Sequence, residues 1–295
     1  MKPAPALDLP GPHSLPNRFA VRNAGRGLKI TGSDYKAPIH YLSKHDSNRD
    51  TLRLELHASA HRTHNSPALV SVHKRQHRKS GRNTTTQIGN FRWTSTSARG
   101  TENYQIILHR TNANNECIDM PQTSRDVYQF RMRINGREEV FEWVKGGAYT
   151  QELRTISRRE SPVVITGMVR ERAPRLAAGG GYYLVRVTGR GVEPRGKGGQ
   201  ETPLGYDRQG REIVASWAYA RGFGWGKPVF FFQWWGSGAT GELGQDFTRV
   251  AAATGAALYH EEALKRAEES RQRSNDSLNA GRGTQGHVGH GGFHH

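Results

Sequence analysis

The chain has 295 residues, a formal net charge of +17 from 43 Lys or Arg against 26 Asp or Glu, and an apolar fraction of 34%. This length allows one large domain or two ordinary ones, and the apolar content is enough for a lean core. No stretch approaches the ~18 uninterrupted apolar residues that a membrane-spanning helix needs, so the sequence excludes such a helix.

The cysteine content and the first residues indicate a compartment. Cys117 is the single cysteine and cannot form an internal disulfide, which fits a reducing environment. Met1 and Lys2 are not followed by the continuous apolar run of a cleaved secretion signal. We therefore expect a cytoplasmic protein, with a membrane-peripheral or a nuclear location as alternatives.

Both ends of the chain have compositions typical of disorder. Residues 2–16 hold five prolines without periodicity, and residues 279–295 are rich in glycine and histidine with little to bury. We predict disordered tails over 1–17 and 274–295, with a single domain over 18–273 between them.

Strand signals follow one another up to residue 235, and helix signals are nearly absent before residue 243. Residues 52–57 and 129–134 alternate strictly, which places every apolar side chain on one face, as in a half-buried antiparallel sheet. Asn135-Gly136 is typical of a two-residue type I′ turn. The predicted strands are 18–22, 28–31, 39–43, 51–58, 68–74, 84–93, 103–110, 127–134, 139–144, 154–157, 163–170, 182–188, 212–219 and 229–235.

A single apolar helix is predicted to follow the strands. Residues 246–259 read DFTRVAAATGAALY and are apolar on every side apart from Arg249, so this helix must be buried all round. It rises only about 20 Å, too little to span a membrane, which leaves the protein interior. Strands enclose a helix completely only as a closed barrel, and roughly a dozen strands leave a lumen that a helix fills. We therefore predict a mainly β protein, a closed antiparallel β-barrel of about 12 strands enclosing a C-terminal hydrophobic α-helix over about 243–272.

The segments that flank the apolar part of this helix are polar. Residues 236–241 read GSGATG, which predicts a turn before the helix. Beyond Tyr259 the sequence becomes charged, and Glu261 with Lys265 forms an i,i+4 pair in the favourable order. We expect the helix to enter the barrel apolar and to emerge charged into water.

The last third of the chain resembles a known family. The succession GSGATGELG at 236–244, then the Ala-rich apolar helix, then EEALKR at 261–266 is similar to the C-terminal signature of fungal proteins with a tubby C-terminal-like domain. Residues 212–217 resemble the penultimate strand pair of that fold. The superfamily also includes the LURP-one-related proteins and the phospholipid scramblases. The resemblance implies a twelve-stranded barrel around a buried helix, and it implies phospholipid binding because better-known relatives bind or act on phospholipids.

Basic residues are concentrated in two segments. Residues 61–100 hold eight Lys or Arg and no Asp or Glu, and the run HKRQHRKSGR at 73–82 is predicted to form a loop between two strands. A second basic loop is predicted at 170–175. Such loops attract the phosphates of anionic lipid or of nucleic acid, and a merely solubilising surface is the alternative. The predicted anion-binding residues are Lys74, Arg75, Arg78, Lys79, Arg82, Arg170, Arg172 and Arg175.

Other motifs predict no chemistry. Residues 191–197 resemble the start of a P-loop, but Gly198 stands where Ser or Thr must bind magnesium. Ser237 lies in GSG rather than in the GxSxG of a nucleophile elbow. The histidines of residues 57–64 and of the tail lack nearby acidic or cysteine partners and are interpreted as solvated, and the aromatic run at 229–235 is interpreted as core rather than as a base-stacking surface. We therefore predict no catalytic residue, no metal and no cofactor.

Two functions remain open at this point. The first is a monomeric, non-enzymatic binding module whose basic loops contact an anionic, phosphoinositide-type membrane surface or a protein partner. The second is a nucleic-acid-associated or nuclear protein that uses the same basic loop. The lipid interpretation gains if the segments at 73–82 and 170–175 lie on the same rim of the barrel.

Overall fold

The described part of the chain forms fourteen strands and two helices. In the computed structural model the described residues are 15–25, 27–34, 36–48, 51–60, 66–75, 84–88, 91–95, 103–110, 115–146, 180–188, 205–220 and 227–283. The strands are β1 (Arg18–Asn23), β2 (Gly27–Thr31), β3 (Pro38–Asn48), β4 (Thr51–His57), β5 (Ala68–Arg75), β6 (Thr84–Ile88), β7 (Phe91–Ser95), β8 (Asn103–Leu108), β9 (Glu116–Ser124), β10 (Val127–Ile134), β11 (Arg137–Gly146), β12 (Gly181–Arg186), β13 (Glu212–Tyr219) and β14 (Pro228–Trp234). The helices are α1 (Gly236–Thr240) and α2 (Gly244–Gly283).

Twelve of the strands form a closed antiparallel barrel. Around it the order is β1, β14, β13, β12, β11, β10, β9, β8, β5, β4, β3, β2, and β2 pairs with β1 to close the ring. The remaining two strands, β6 and β7, pair with each other as a separate sheet within the connection from β5 to β8. The predicted mainly β fold, with a twelve-stranded closed barrel and a C-terminal helix, is confirmed.

The period-two pattern of β10 shows how the sequence sets the register. Tyr128, Phe130, Met132 and Ile134 are buried, while the residues between them are partly or fully exposed. β10 pairs along its whole length with β11, and the two residues that join them, Asn135-Gly136, have φ angles of 49° and 80°. Positive φ at both positions is what a type I′ turn requires, so the predicted hairpin is confirmed.

The first three turns of α2 lie among aromatic side chains of the barrel. Phe247 packs against Phe141 of β11 and Trp234 of β14, with ring centroids 4.7 and 6.2 Å apart. The indole Nε1 of Trp143 donates a hydrogen bond of 2.9 Å to Thr254 Oγ1, and both side chains are fully buried. The predicted burial of the apolar segment therefore holds, and this segment is tied to the barrel by a polar contact as well as by packing.

The aromatic run at 229–235 belongs to the core, as predicted. Phe230, Phe232 and Trp234 are at most 3% exposed. The helix approaches these rings closely at Gly255, where an added Cβ would lie 3.0 Å from Phe232 and 3.3 Å from Trp217. Glycine in mid-helix costs about 1 kcal/mol relative to alanine, and here it makes room for two large rings.

Residues 256–283 continue α2 and form a separate compact unit with the residues that follow. Ala256 to Leu258 are buried, but so are Glu261 and Glu262, at 7% and 5% exposure. The expectation that the helix reaches water where its charge begins is therefore wrong by about one turn. Lys265 Nζ lies 3.7 Å from Glu261 Oε1, which is the predicted i,i+4 pair. The helix also runs past its predicted end near 272 to Gly283, and no glycine or proline interrupts it between residues 256 and 280.

Several local predictions differ from the structure. β9 was missed because only two of its apolar residues, Ile118 and Met120, lie on the inward row and a proline follows them. The segment 84–93, predicted as one strand, contains β6 and the start of β7, and the predicted turn at 236–241 is mostly the short helix α1. The predicted strands at 154–157 and 163–170 lie outside the described residues.

Candidate functional site

The two ends of the barrel differ in charge. We call the two ends of the barrel the mouth and the floor. At the mouth, β10 and β12 end and α2 begins. At the floor, β5 and β11 end. Consecutive barrel strands are antiparallel, so their connections alternate between the two ends. The floor connections hold 16 Lys or Arg and six Asp or Glu, whereas the mouth connections hold eight Lys or Arg and five Asp or Glu. The floor connections are 24–26, 49–50, 76–102, 125–126, 147–180 and 220–227, and the mouth connections are 32–37, 58–67, 109–115, 135–136, 187–211 and 235–243.

Both predicted basic segments belong to floor connections. Residues 76–82 leave the end of β5 and residues 170–175 precede β12, so the strands that flank both segments end on the same rim. No distance between the segments is defined, because Arg78, Lys79, Arg82, Arg170, Arg172 and Arg175 lie outside the described residues.

Lys74 and Arg75 are not in a loop but are the last two residues of β5. Lys74 follows Val70 and Val72 on the inward row of this strand and is only 7% exposed. The predicted loop at 73–82 is therefore corrected at its start, because β5 continues to Arg75 and its alternation takes the Lys74 side chain inward. Of the predicted anion-binding residues, Lys74 is the one whose burial argues against direct contact with a ligand.

A cavity of about 640 Å³ lies at the mouth of the barrel. It is built from the start of β11, the end of β12, the start of β13, and α1 with the turn that follows it. No motif of the sequence pointed to it. Its charged lining consists of four carboxylates and two guanidinium groups, those of Glu138, Glu139, Glu212, Glu242, Arg137 and Arg186.

Arg186 is the centre of this lining. Its Nε and Nη2 atoms donate to the two carboxylate oxygens of Glu139, the second bond being 2.6 Å long. Its Nη1 atom donates to Glu242 Oε1 at 3.0 Å and lies 3.7 Å from Glu212 Oε2. The hydrogen bonds to Glu139 outweigh burial and, with Glu242, raise the pKa of Arg186, so the group stays charged. Three carboxylates surround one cation, which leaves an excess of negative charge in the cluster.

Ser237 forms part of the same wall. Its backbone N–H donates to Glu212 Oε1 at 2.6 Å, which fixes that carboxylate at the beginning of α1. The residue is 6% exposed, and its Oγ has no hydrogen-bond partner among the described residues. Gly236, at φ +44°, brings the backbone so close that a Cβ would lie 2.3 Å from Glu212 Oε1. These contacts fix the position of the Glu212 carboxylate against α1, and the Ser237 hydroxyl has no hydrogen-bond partner among the described residues.

The pairing register explains why sequence reasoning missed this site. Glu139 precedes Phe141 and Trp143 on the inward row of β11, and Arg186 pairs with Phe141 across β11 and β12. Glu212 pairs with Arg186 in turn. A charged residue at the end of an inward-facing row was a usable signal, but it appears only when the register of neighbouring strands is known.

A second polar cluster lies on the outer face of β3, β4 and β5. Ser43 Oγ lies 2.8 Å from His57 Nε2 and 3.4 Å from Glu55 Oε2. His57 Nδ1 lies 3.0 Å from the carbonyl oxygen of Ser66, which can only accept, so Nδ1 donates this hydrogen bond. On the next strand Ser71 Oγ contacts His109 Nε2 at 2.8 Å. The cluster is a hydrogen-bonded network of serine, histidine and glutamate side chains.

Two members of this network have shifted pKa values. Burial raises the pKa of Glu55, but hydrogen bonding and the charge of Arg53, together with the nearby imidazoles, more than offset it and hold the pKa below its ordinary value. Burial lowers the pKa of His109, and nearby Glu55 opposes this only in part. Both shifts make the folded protein resist protonation.

The described residues contain neither a cluster suited to a metal ion nor a helix suited to a membrane. No group of three or more His, Cys, Asp or Glu side chains in these ranges is arranged to hold a metal ion. His57 lies on β4, whereas His61, His64 and the tail histidines fall outside the ranges described. In the part of the chain that was described, no helix combines the length and apolarity that crossing a membrane requires.

Comparison with known proteins places the chain in no established class. No protein family, curated protein or solved structure matches it.

Proposed function

We propose that the protein is a non-enzymatic binding module of the tubby-like kind, peripheral to membranes, and that the floor of its barrel contacts anionic phospholipid. The observation that carries the proposal is the topology: both basic segments connect strands that end at the floor, where basic residues exceed acidic ones by ten. Clustered basic residues at one surface attract anionic headgroups, with about 1 kcal/mol for each Lys or Arg near the membrane.

The filled interior supports a surface function. The fully buried residues of α2, such as Phe247 and Val250, occupy the space among the barrel aromatics, so this part of the lumen holds protein rather than a ligand. A twelve-stranded barrel around an apolar helix is also the fold that the tubby-like resemblance implies, and better-known relatives bind or act on phospholipids.

The composition of a third floor connection suits a bilayer interface. Residues 220–227 read ARGFGWGK, with Phe223 and Trp225 between Arg221 and Lys227. Aromatic side chains next to basic ones suit the headgroup level of a bilayer, where amphipathic rings are enriched. Nucleic-acid phosphates attract the same charges, so that alternative is an outcome of the test.

The test compares two matched triple variants in liposome co-sedimentation. The floor variant changes Arg78, Lys79 and Arg82 to Gln, and the control changes Arg190, Arg195 and Lys197, in a mouth connection, to Gln. Each removes two Arg and one Lys. We expect the wild type to sediment only with liposomes containing phosphatidylinositol phosphate or phosphatidylserine. We expect the floor variant to lose affinity by about 100-fold, since three residues contribute about 3 kcal/mol, and the control to lose far less.

The same variants are titrated with duplex DNA over a salt series. Salt-dependent DNA binding that the floor variant loses, without sedimentation on anionic liposomes, would establish the nucleic-acid function instead. Equal losses in the floor and mouth variants would mean that only total charge matters, and the assignment to the floor would be abandoned. Lys74 is left unchanged throughout, because its burial would confuse loss of binding with loss of folding.

A further inference from the structure

The hairpin formed by β6 and β7 is a sheet of its own, separate from the barrel. Among the described residues its two strands pair only with each other. The hairpin lies within the connection 76–102, whose ends join the barrel where Arg75 and Asn103 pair at the floor. An isolated two-stranded hairpin is marginally stable in water unless one of its faces packs against another surface. A surface that covers one face would therefore stabilise this hairpin.

The pairing register divides the hairpin into an apolar face and a polar face. Residues at alternate positions of a strand share a face, so successive cross-strand pairs alternate between the two faces. The pairs on one face are Ile88–Phe91, Thr86–Trp93 and Thr84–Ser95. The pairs on the other face are Gln87–Arg92 and Thr85–Thr94. The three large apolar residues of the hairpin therefore share one face, and its one charged residue belongs to the other.

The sequence around the hairpin is basic. The connection 76–102 holds five basic residues and one acidic residue, namely Arg78, Lys79, Arg82, Arg92, Arg99 and Glu102. Basic residues next to aromatic and aliphatic ones are typical of segments that lie in a membrane interface, where the cations meet anionic headgroups and the rings occupy the headgroup level. A nucleic-acid backbone attracts the same cations but offers no apolar surface against which Ile88 could pack.

We propose that the apolar face of the β6–β7 hairpin inserts into the interfacial layer of an anionic bilayer. This inference rests on the proposed contact between the floor and anionic phospholipid, and it names the element that anchors that contact. The basic run before β6 supplies attraction that salt screens, whereas burial of the apolar face supplies a contribution that salt does not screen. The two contributions can therefore be measured separately.

Liposome co-sedimentation of the full chain tests the apolar face, with vesicles of phosphatidylcholine and phosphatidylserine as the probe. We expect Phe91→Ser to weaken binding about tenfold and Ile88→Ser about fivefold, because serine has almost no apolar surface to bury. The matched control is Val187→Ser, which makes the same kind of change as Ile88→Ser at a residue that is 36% exposed and follows β12 at the mouth. We expect this control to bind within twofold of the wild type.

The salt dependence separates the hairpin from the basic run. The ratio of wild-type affinity to that of Phe91→Ser should stay constant as ionic strength rises, because the lost contribution is apolar. The corresponding ratio for the floor variant, in which Arg78, Lys79 and Arg82 are changed to Gln, should shrink. A ratio that shrinks in the same way for Phe91→Ser would overturn the proposal.

Quenching of tryptophan fluorescence by brominated phospholipid locates the inserted residue and covers the case in which a serine variant fails to fold. Trp93→Phe keeps an aromatic residue of high strand propensity, so we expect it to bind about as well as the wild type. We also expect it to lose part of the quenching that the wild type shows. Quenching that persists in Trp93→Phe but disappears in Trp225→Phe would assign the insertion to the connection 220–227 and would overturn the proposal.

The outcomes distinguish this inference from the proposed function. A wild-type chain that does not sediment with anionic liposomes refutes the lipid contact, and the inserted hairpin with it. Binding that the floor variant loses, but that Ile88→Ser and Phe91→Ser keep as well as Val187→Ser does, refutes the inserted hairpin alone. A dimer in analytical ultracentrifugation without lipid that Phe91→Ser dissociates would assign the apolar face to a second copy of the chain, and it would also overturn the proposal.

Discussion

Replacing Thr254 by Val tests directly whether α2 is tied to the inside of the barrel. Trp143 and Thr254 are fully buried, and the 2.9 Å bond from Trp143 Nε1 to Thr254 Oγ1 joins β11 to the helix. Valine has nearly the same shape and a similar helix propensity, so the change removes the acceptor and leaves the packing in place. The indole N–H is then buried without a partner.

The expected cost follows from that unpaired group. A buried donor that loses its acceptor costs about 1–3 kcal/mol, so we expect the free energy of unfolding to fall by about 2 kcal/mol. For a domain of this size the melting temperature should then fall by about 4–8 °C. Urea unfolding followed by tryptophan fluorescence measures the first quantity, and circular dichroism measures the second.

Two companion variants make the result interpretable. Thr248→Val makes the same change on a partly exposed part of the helix, where the hydroxyl donates only to the Gln245 carbonyl at 2.8 Å, and should cost less than about 0.5 kcal/mol. Thr254→Ser keeps the hydroxyl and should cost about 1 kcal/mol for the lost methyl group. If the two Thr-to-Val changes cost the same, the helix is not tied to β11 through this bond, and the description of the core is refuted.

Three further predictions concern Arg186 in the mouth cavity, His109 and Glu55 on the outer face, and the close approach of β12 to β13 at Gly181. Arg186→Met leaves the buried Glu139 carboxylate without its cation and should cost about 3–5 kcal/mol at pH 7, which urea unfolding measures. Because the pKa of His109 lies below its ordinary value of 6.5 and that of Glu55 below 4.5, the unfolded chain takes up protons first, so stability should fall as pH drops below 6.5 and again below 4.5. His109→Gln should flatten only the upper part of that profile. Gly181→Ala should prevent soluble expression or lower the melting temperature by more than 10 °C, since its Cβ would lie 2.0 Å from the Trp217 carbonyl oxygen, whereas Gly32→Ala, with a nearest contact of 3.4 Å, should be tolerated.

The barrel was accessible from the sequence because its strands are locally consistent. In β10, alternation, length and the Asn-Gly turn all specify one register, and the structure shows that register. The burial of the first part of α2 was predicted because residues 246–259 have no polar face. Neither inference needs knowledge of distant contacts, since strand and helix periodicity are properties of short windows.

The mouth cavity was not accessible in the same way, because its residues come from four elements that are far apart in sequence. Glu139 and Arg186 meet through the pairing of β11 with β12, and Glu242 reaches them only because α1 turns the chain over the mouth. Within its own short stretch of sequence, none of these charged residues differs from a typical surface residue. Only the register of neighbouring strands makes them one cluster, and register is a long-range property.

A common physical cause links the mouth cluster to the buried Lys74 at the floor. In β5 the inward row reads Val70, Val72, Lys74, and in β11 it reads Trp143, Phe141, Glu139 toward the mouth. In both strands the inward row changes from apolar to charged at its last position, where the packed core ends. Both residues are largely buried, Lys74 at 7% and Glu139 at 9% exposure. One of these charged residues lies near each rim of the barrel, Lys74 at the floor and Glu139 at the mouth.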